Sequence, residues 1–233
     1  MFIGALRRPD LALRFLAGRM PSEFSLKRVA RYVKSTSPTI LEAGAFDGRD
    51  TERFAQLWPE GIIYAFEPMP SLAAKVREAT ADLANVVLVE AALGVDDSGS
   101  VDLYTFAEDQ NEHGSSSILR PGDHLDVAPE IQFHRKLTVR SIMLDEWFSS
   151  IEPTSLHLMW LDLQGAELKV LERGVLALSK TEVIHIEVSR RPLYEGGATF
   201  RQLHRFLKHN GFKLKAARIP VRSGNAIYVR RKR

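Results

Sequence analysis

Short apolar runs alternate with amphipathic stretches along most of the chain. The apolar runs have the length of buried strands, and stretches with helical periodicity separate most of them. Because strands that alternate with helices form parallel sheets through right-handed crossovers, this pattern predicts an α/β fold. The predicted strands lie near 39–43, 62–66, 86–90, 156–161, 183–188, 213–219 and 226–230, and the predicted helices near 50–57, 71–81, 166–178 and 199–210.

The last two predicted strands are joined only by residues 220–225. A connection of this length has no room for a crossover helix, so the two strands must form an antiparallel hairpin. The sequence therefore predicts a seven-stranded, mostly parallel sheet with one antiparallel edge strand. This arrangement is typical of the Rossmann-like methyltransferase fold, whereas dinucleotide-binding folds lack the reversed strand.

Two stretches differ from this alternation. Segments 6–20 and 22–34 combine apolar positions at helical spacing with basic residues, which predicts a basic helical N-terminal extension, residues 1–38, packed on the core. We expect residues 39–233 to form a single domain. Within it, the polar stretch 107–135 separates two segments that alternate like strands, and loops of this length are typical of lids or binding loops. We expect it to be a lid on the acceptor side.

Composition narrows the class of protein. The chain has 233 residues and no cysteine, which excludes disulfides, thiolate metal sites and cysteine nucleophiles. No apolar run approaches the roughly 18 residues of a membrane span, and the N-terminus lacks the features of a signal peptide. We therefore expect a cytoplasmic protein without a transmembrane segment.

Charge is distributed unevenly along the chain. The net charge is +3, but residues 1–34 carry +6 and residues 201–233 carry +11, which leaves about −14 for the centre. The basic ends either solvate terminal elements or contact an anionic surface, which would make the protein peripheral to a membrane. Aromatic residues are not interleaved with these charges, so nucleic acid is disfavoured as a partner.

The turn after the first predicted strand indicates a nucleoside-containing cofactor. Gly44 and Gly48 permit a sharp turn close to a ligand, and Glu67 lies about 20 residues on, where a ribose-binding carboxylate belongs. A dinucleotide site would leave a bare helix N-terminus for a pyrophosphate, whereas Glu42 and Asp47 would repel phosphate here. The ammonium, sulfonium and ribose of S-adenosylmethionine suit these acids better.

A second group of polar residues follows later strands. Asp162 ends one predicted strand, and Glu187 and His185 share a face of the next. Because ligands bind outside the carboxyl ends of parallel strands, Asp162 and Glu187 are candidate catalytic bases or acceptor-binding groups, which His113 of the lid could join. Alternatively, Asp162 caps a helix, Glu187 pairs with an arginine, and both histidines are structural or solvated.

A divalent metal is an alternative to a general base, because it would lower the pKa of a bound hydroxyl. Asp162 and Glu187 would supply oxygen ligands. The sequence offers no third ligand at fixed spacing, so a metal is not favoured.

Taken together, these motifs resemble the FkbM family of methyltransferases. The resemblance spans about residues 39 to 230 and rests on LEAGAFDGRDT (41–51), YAFEP (64–68), AALG (91–94), SSSIL (115–119), WLDLQGAELKVLERG (160–174) and HIEV (185–188).

The resemblance implies S-adenosylmethionine as the donor and a hydroxyl of a sugar, glycan or natural product as the acceptor. It also implies a set of cofactor-binding residues around the methionine, the ribose and the adenine. An RNA- or protein-directed or non-catalytic protein of the same fold is the alternative. The methionine part would be surrounded by Glu42, Gly44, Asp47, Gly48 and Thr51, the ribose by Glu67 with Pro68 beside it, and the adenine by Ala91.

Overall fold

The computed structural model describes residues 22–105, 116–122, 135–152, 154–220 and 222–231. The predicted segment 6–20 and most of the predicted lid lie outside these ranges. Among the described residues, no helix is both long and apolar enough to span a membrane.

The described elements alternate between strands and helices, as the pattern of apolar positions predicts. The helices are α1 (Ser22–Ala30), α2 (Arg49–Leu57), α3 (Pro70–Ala79), α4 (Leu144–Ser150), α5 (Glu167–Glu172), α6 (Val175–Lys180) and α7 (Phe200–His209). The strands are β1 (Thr39–Ala43), β2 (Ile62–Phe66), β3 (Val86–Val89), β4 (Ala92–Leu93), β5 (Ser100–Thr105), β6 (Arg135–Ile142), β7 (Leu156–Leu161), β8 (Thr181–Ser189), β9 (Phe212–Arg218) and β10 (Ser223–Arg230).

Seven strands form one sheet in the order β3-β2-β1-β7-β8-β10-β9. The first five are parallel, and β10 runs antiparallel to both β8 and β9. The predicted fold class is confirmed, but the position of the reversed strand is corrected. The reversed strand is β10, which lies second from the edge, because the hairpin docks on β8 through β10 and leaves β9 outermost.

Helices cover both faces of the sheet. Val29 of α1 and Phe54 of α2 pack with alternate residues of the central strands on one face. Trp147 of α4, Leu178 of α6 and Leu203 of α7 belong to the core on the other face. Because side chains alternate along a strand, each central strand is buried on both sides, as in other parallel sheets.

Two predicted helices have different bounds in the structure. The predicted helix 166–178 is divided into α5 and α6 at Gly174, where Leu144 packs so closely that a Cβ would overlap its side chain. The backbone leaves the helix there and starts a new one. The predicted basic segment 6–20 lies outside the described residues. In the predicted segment 22–34, the helix α1 ends at Ala30 and does not continue to Lys34.

The part of the chain between β3 and α4 contributes a second, smaller sheet of order β4-β6-β5. Strands β5 and β6 pair antiparallel, which confirms the two alternating segments predicted on either side of the long polar stretch. Residues 116–122 also belong to this region, and Ser117 pairs with Tyr104 of β5 through backbone hydrogen bonds of 2.8 and 3.1 Å.

Candidate active site

A cleft opens at the carboxyl ends of β1, β2 and β7. Its floor is apolar, and polar groups from the strand ends and from residues 116–118 lie around it. The lining residues are Ala43, Gly44, Phe46, Phe66, Glu67, Pro68, Leu72, Ala91, Ala92, Leu93, Leu103, Ser116, Ser117, Ile118, Asp162, Leu163, Gln164 and Ala166. Five residues predicted for the site, Gly44, Glu67, Pro68, Ala91 and Asp162, therefore lie together in one cleft.

The turn after β1 passes very close to the end of β7. Gly44 has φ +92°, and a Cβ there would overlap the carbonyl oxygen of Asp162. The amides of Gly44 and Ala45 donate to the carbonyl of Phe66 at 3.1 and 3.0 Å. Only glycine tolerates both the positive φ and the lack of space for a Cβ. Gly44 therefore brings the turn directly against the strand that precedes Asp162.

Glu67 is held in a fixed orientation at the end of β2. Its Oε2 accepts a hydrogen bond from the backbone amide of Phe46 at 2.9 Å, and its Oε1 accepts one from the amide of Met69 at 3.0 Å. The side chain is buried, yet it lines the cleft. Backbone donors on both oxygens leave the carboxylate little rotational freedom, as a group that recognises a ligand requires.

Glu42 and Thr51 lie beneath the cleft, outside its described lining. Thr51 donates its hydroxyl to Oε2 of Glu42 at 2.5 Å, and both residues are buried between β1 and α2. Burial raises the pKa of the Glu42 carboxyl well above its usual range, although the bond from Thr51 acts in the opposite direction. The hydrogen bond between Thr51 and Glu42 thus connects the start of α2 to β1.

Asp47 and Gly48 shape the start of α2 and are also outside the described cleft lining. Oδ1 of Asp47 accepts from the amide of Arg49 at 3.2 Å, and Oδ2 lies 3.2 Å from the Arg49 guanidinium. Gly48 has φ +80°, and a Cβ there would crowd Val76 and Ala79 of α3 at 3.0 and 3.1 Å. The second glycine thus serves helix packing.

On the acceptor side, Gln164 joins the two predicted acids. Its Nε2 donates to Oδ1 of Asp162 and, at 2.9 Å, to Oε2 of Glu187. Asp162 lines the cleft, whereas Glu187 lines a separate small pocket beyond Gln164. The helix-cap alternative for Asp162 is not seen in the described part of the chain, because α5 begins at Glu167 and its N-cap position, Ala166, has no side-chain capping bond.

Two buried groups complete this cluster, and sequence reasoning missed both of them along with Gln164. Tyr194 donates its hydroxyl to Oε1 of Gln164 at 3.3 Å. Glu167 accepts from the amides of Leu163 and Gly165 at 2.9 and 3.3 Å, and burial, aided by the charge of Asp162, raises its pKa to about 7. Gly165 in the sequence indicates a turn after β7. No sequence pattern near Tyr194 indicates that its side chain packs against this turn.

Residues 116–118 form a wall of the cleft. Ser117 donates its hydroxyl to the backbone carbonyl of Gln164 at 2.9 Å and accepts from the amide of Leu119 at 3.1 Å. Leu119 packs with Tyr194 and Ala166 in a small apolar cluster. The polar loop that the sequence places near substrate or cofactor therefore reaches the cleft, whereas His113 lies outside the described residues.

His185 is buried, as the structural alternative predicts, but within the described ranges its ring nitrogens lack the hydrogen bonds that a buried histidine usually makes. Its ring stacks on Trp160 with centroids 3.5 Å apart, and neither ring nitrogen has a hydrogen-bond partner among the described residues. Burial lowers its pKa to about 3. Its ring lies beside Trp160 on the sheet face that α1 and α2 cover, away from the cleft.

Within the described ranges, no group of three or more potential ligands is arranged to hold a metal ion.

The fold and the cleft define a Rossmann-like methyltransferase. The family model described as "Methyltransferase FkbM domain" matches residues 42–214. The chain belongs to the FkbM family of methyltransferases. This membership confirms the predicted family and the predicted class of enzyme, an S-adenosylmethionine-dependent methyltransferase.

Individual relatives agree with this assignment. The chain is 34% identical over 180 residues to the 2-O-methyltransferase NoeI of Sinorhizobium fredii (strain NBRC 101917 / NGR234). The aligned region covers 76% of this chain and 74% of that protein. A solved fibrillarin/Nop5p complex contains a chain of similar fold, with a TM-score of 0.51 and 15% identity over 84% of this chain and 74% of that one.

Proposed function

We propose that this enzyme methylates a hydroxyl oxygen of a neutral sugar or glycan, with Asp162 as the group that takes the acceptor's proton. The observation that carries the proposal is the placement of Asp162 in the cleft, with its backbone against the glycine turn. The similarity to a 2-O-methyltransferase supports oxygen as the atom that is methylated.

The cleft fits S-adenosylmethionine. Its apolar side, formed by residues such as Leu72, Ala91 and Leu103, suits a flat adenine, and the oriented carboxylate of Glu67 suits two ribose hydroxyls. Gly44 lines the cleft and presents only its backbone there. When bound, this cofactor supplies a methyl group on a sulfonium, which is a good leaving group.

The predicted residues divide between two tasks. We propose that Gly44, Glu67, Pro68 and Ala91 contact the cofactor, whereas Glu42, Asp47, Gly48 and Thr51 hold the turn and α2 in place, as their hydrogen bonds and packing support. This assignment narrows the set expected from the family resemblance.

Positioning supplies most of the rate in such a displacement, but an alcohol must still lose its proton. Oδ1 of Asp162 receives the amide of Gln164, and we assign Oδ2 as the atom that receives the acceptor proton. Glu187 acts on the acceptor side through Gln164. A role for His113 and contact of the basic ends with an anionic surface both stay predictions.

A panel of methyl glycosides of neutral hexoses and 6-deoxyhexoses, assayed with labelled methyl donor, tests the proposal. Asp162→Asn should lower turnover with the best acceptor by about 100-fold or more while the affinity for S-adenosylhomocysteine changes little. The exposed Asp97→Asn is the matched control and should keep full turnover. Normal turnover in Asp162→Asn, or methylation only of nitrogen acceptors in a wider panel, would contradict it.

A further inference from the structure

Gln164 adopts a backbone conformation that is uncommon for a residue with a side chain. Its φ is +51°, and the next residue, Gly165, has φ +97°. Residues in this region are often held there because their side chain is needed in a particular place. At Gln164 the turn directs the side-chain amide back toward the ends of β7 and β8, where Asp162 and Glu187 lie.

The orientation of this amide follows from its three partners. Nε2 carries two hydrogens, and Asp162 and Glu187 each receive a bond from it. Oε1 accepts from the hydroxyl of Tyr194. A flipped amide would place Oε1 against two carboxylates, so only one orientation satisfies all three contacts.

Tyr194 remains a reliable donor. Burial, with added repulsion from Glu187, Asp162 and Glu167, raises the pKa of its phenol well above the ordinary value. The hydroxyl therefore stays protonated across the working pH range and fixes the amide. The titratable partners of the Gln164 amide are thus Asp162, Glu187 and Tyr194, and Glu167 acts on Tyr194 through its charge.

The amide also constrains the two acids chemically. An N–H donor needs an acceptor oxygen that carries no proton, so each acid presents such an oxygen to Nε2. A neutral amide achieves this without cancelling the negative charge, as a lysine or arginine in its place would do. Oδ1 of Asp162 is thereby occupied, and the carboxylate plane is fixed in the cleft.

We infer that Gln164, oriented by Tyr194 and anchored on Glu187, is a positioning residue that keeps the Asp162 carboxylate aimed at the acceptor oxygen. This inference rests on the proposed role of Asp162. It explains why Glu187 belongs to the site although it lies in a different pocket from Asp162.

Two substitutions of Gln164 separate positioning from structure. Gln164→Met keeps the volume and removes every hydrogen bond, and it should lower kcat by about 10- to 100-fold with little change in the KM for S-adenosylmethionine. Gln164→Glu keeps the shape, but the introduced carboxyl donates a hydrogen bond only while it is protonated. Its kcat should therefore be highest at acid pH and fall as the pH rises, a profile absent from the wild type and from Gln164→Met.

Tyr194→Phe should give a smaller loss of kcat, because the amide then loses only the partner that prevents its flip. The exposed Gln56→Met is the matched control and should match the wild type. Thermal melting and S-adenosylhomocysteine binding verify that each variant is folded.

The outcomes distinguish the inference from the function on which it rests. If Asp162→Asn is inactive but folded Gln164→Met and Gln164→Glu keep wild-type kcat and pH profiles, Gln164 is merely structural and the inference is wrong. If Asp162→Asn is itself fully active, the proposed base is wrong. A large loss in Gln164→Met together with acid recovery of Gln164→Glu supports both.

Discussion

His185 should make the stability of the protein sensitive to acid. The ring is 3% exposed, stacks on Trp160, and has no hydrogen-bond partner among the described residues. Burial lowers its pKa from 6.5 to about 3 in the folded state. Because the folded pKa is depressed, the stabilising contribution is fully present above about pH 6.5 and is lost as the pH falls toward 3.

The size of the effect follows from the linkage relation. Each pH unit below the unfolded pKa costs about 1.4 kcal/mol while the folded ring stays neutral. Between about pH 6.5 and pH 5 the loss is therefore about 2 kcal/mol. His185→Phe retains an aromatic ring beside Trp160 but cannot be protonated, so it should be free of this loss.

Urea unfolding of the wild type and of His185→Phe, at several pH values from about 5 to 8, measures the difference. Relative to the wild type, the free energy of unfolding of the variant should rise by about 2 kcal/mol on going from neutral pH to about pH 5. The same replacement at the exposed His209 is the control. A His185→Phe difference that is constant with pH would refute the reasoning.

Glu167 should oppose this effect. Its folded pKa is raised to about 7, so its contribution is fully present below pH 4.5 and is lost as the pH rises through 7. Glu167→Gln keeps an acceptor for the amides of Leu163 and Gly165, and its difference from the wild type should have the opposite slope. The wild-type curve alone would hide both effects between about pH 5 and 6.5, because they cancel.

Three further changes test the cofactor side of the site. Glu67→Gln should weaken S-adenosylhomocysteine binding by about 1.5–3 kcal/mol in calorimetry. The reason is that the amide nitrogen of glutamine cannot accept a hydrogen bond, whereas both Glu67 oxygens accept one, from the amides of Phe46 and Met69. Unchanged affinity would mean that Glu67 does not bind the ribose. Gly44→Ala should destabilise the fold by more than the roughly 1–3 kcal/mol of a strained φ, and Gly99→Ala, with positive φ but open space around it, is the control in the same melting experiment. Thr51→Val should cost about 1–3 kcal/mol of stability by leaving buried Glu42 without its donor, and a melt equal to the wild type would mean that this bond is unimportant.

Much of the fold was predictable because local signals agree with tertiary structure. Apolar runs marked all seven strands of the large sheet, and the short link at 220–225 required a hairpin. The hairpin rule does not state which of its two strands docks on β8, since that choice depends on packing with distant residues. The position of β10 inside the sheet was therefore missed.

The site was predictable in part for the same reason. Glu67 and Asp162 follow strand ends, and strand ends meet at one edge of a parallel sheet. Glu42 lies one residue before the end of β1, and the alternation of side chains could have indicated that it faces α2. Gln164 and Tyr194 meet across 30 residues, and no local pattern encodes such a contact.

The segment 116–122 packs against two separate apolar clusters. Ile118 packs against the apolar cluster of Ala92 and Leu103 on one side and against that of Leu119 and Tyr194 on the other. Anyone who redesigns this loop for a new acceptor would therefore also alter the slot that we assign to adenine. Acceptor choice within such a scaffold should therefore change more easily through flanking residues than through these seven, since a substitution here would disturb both clusters.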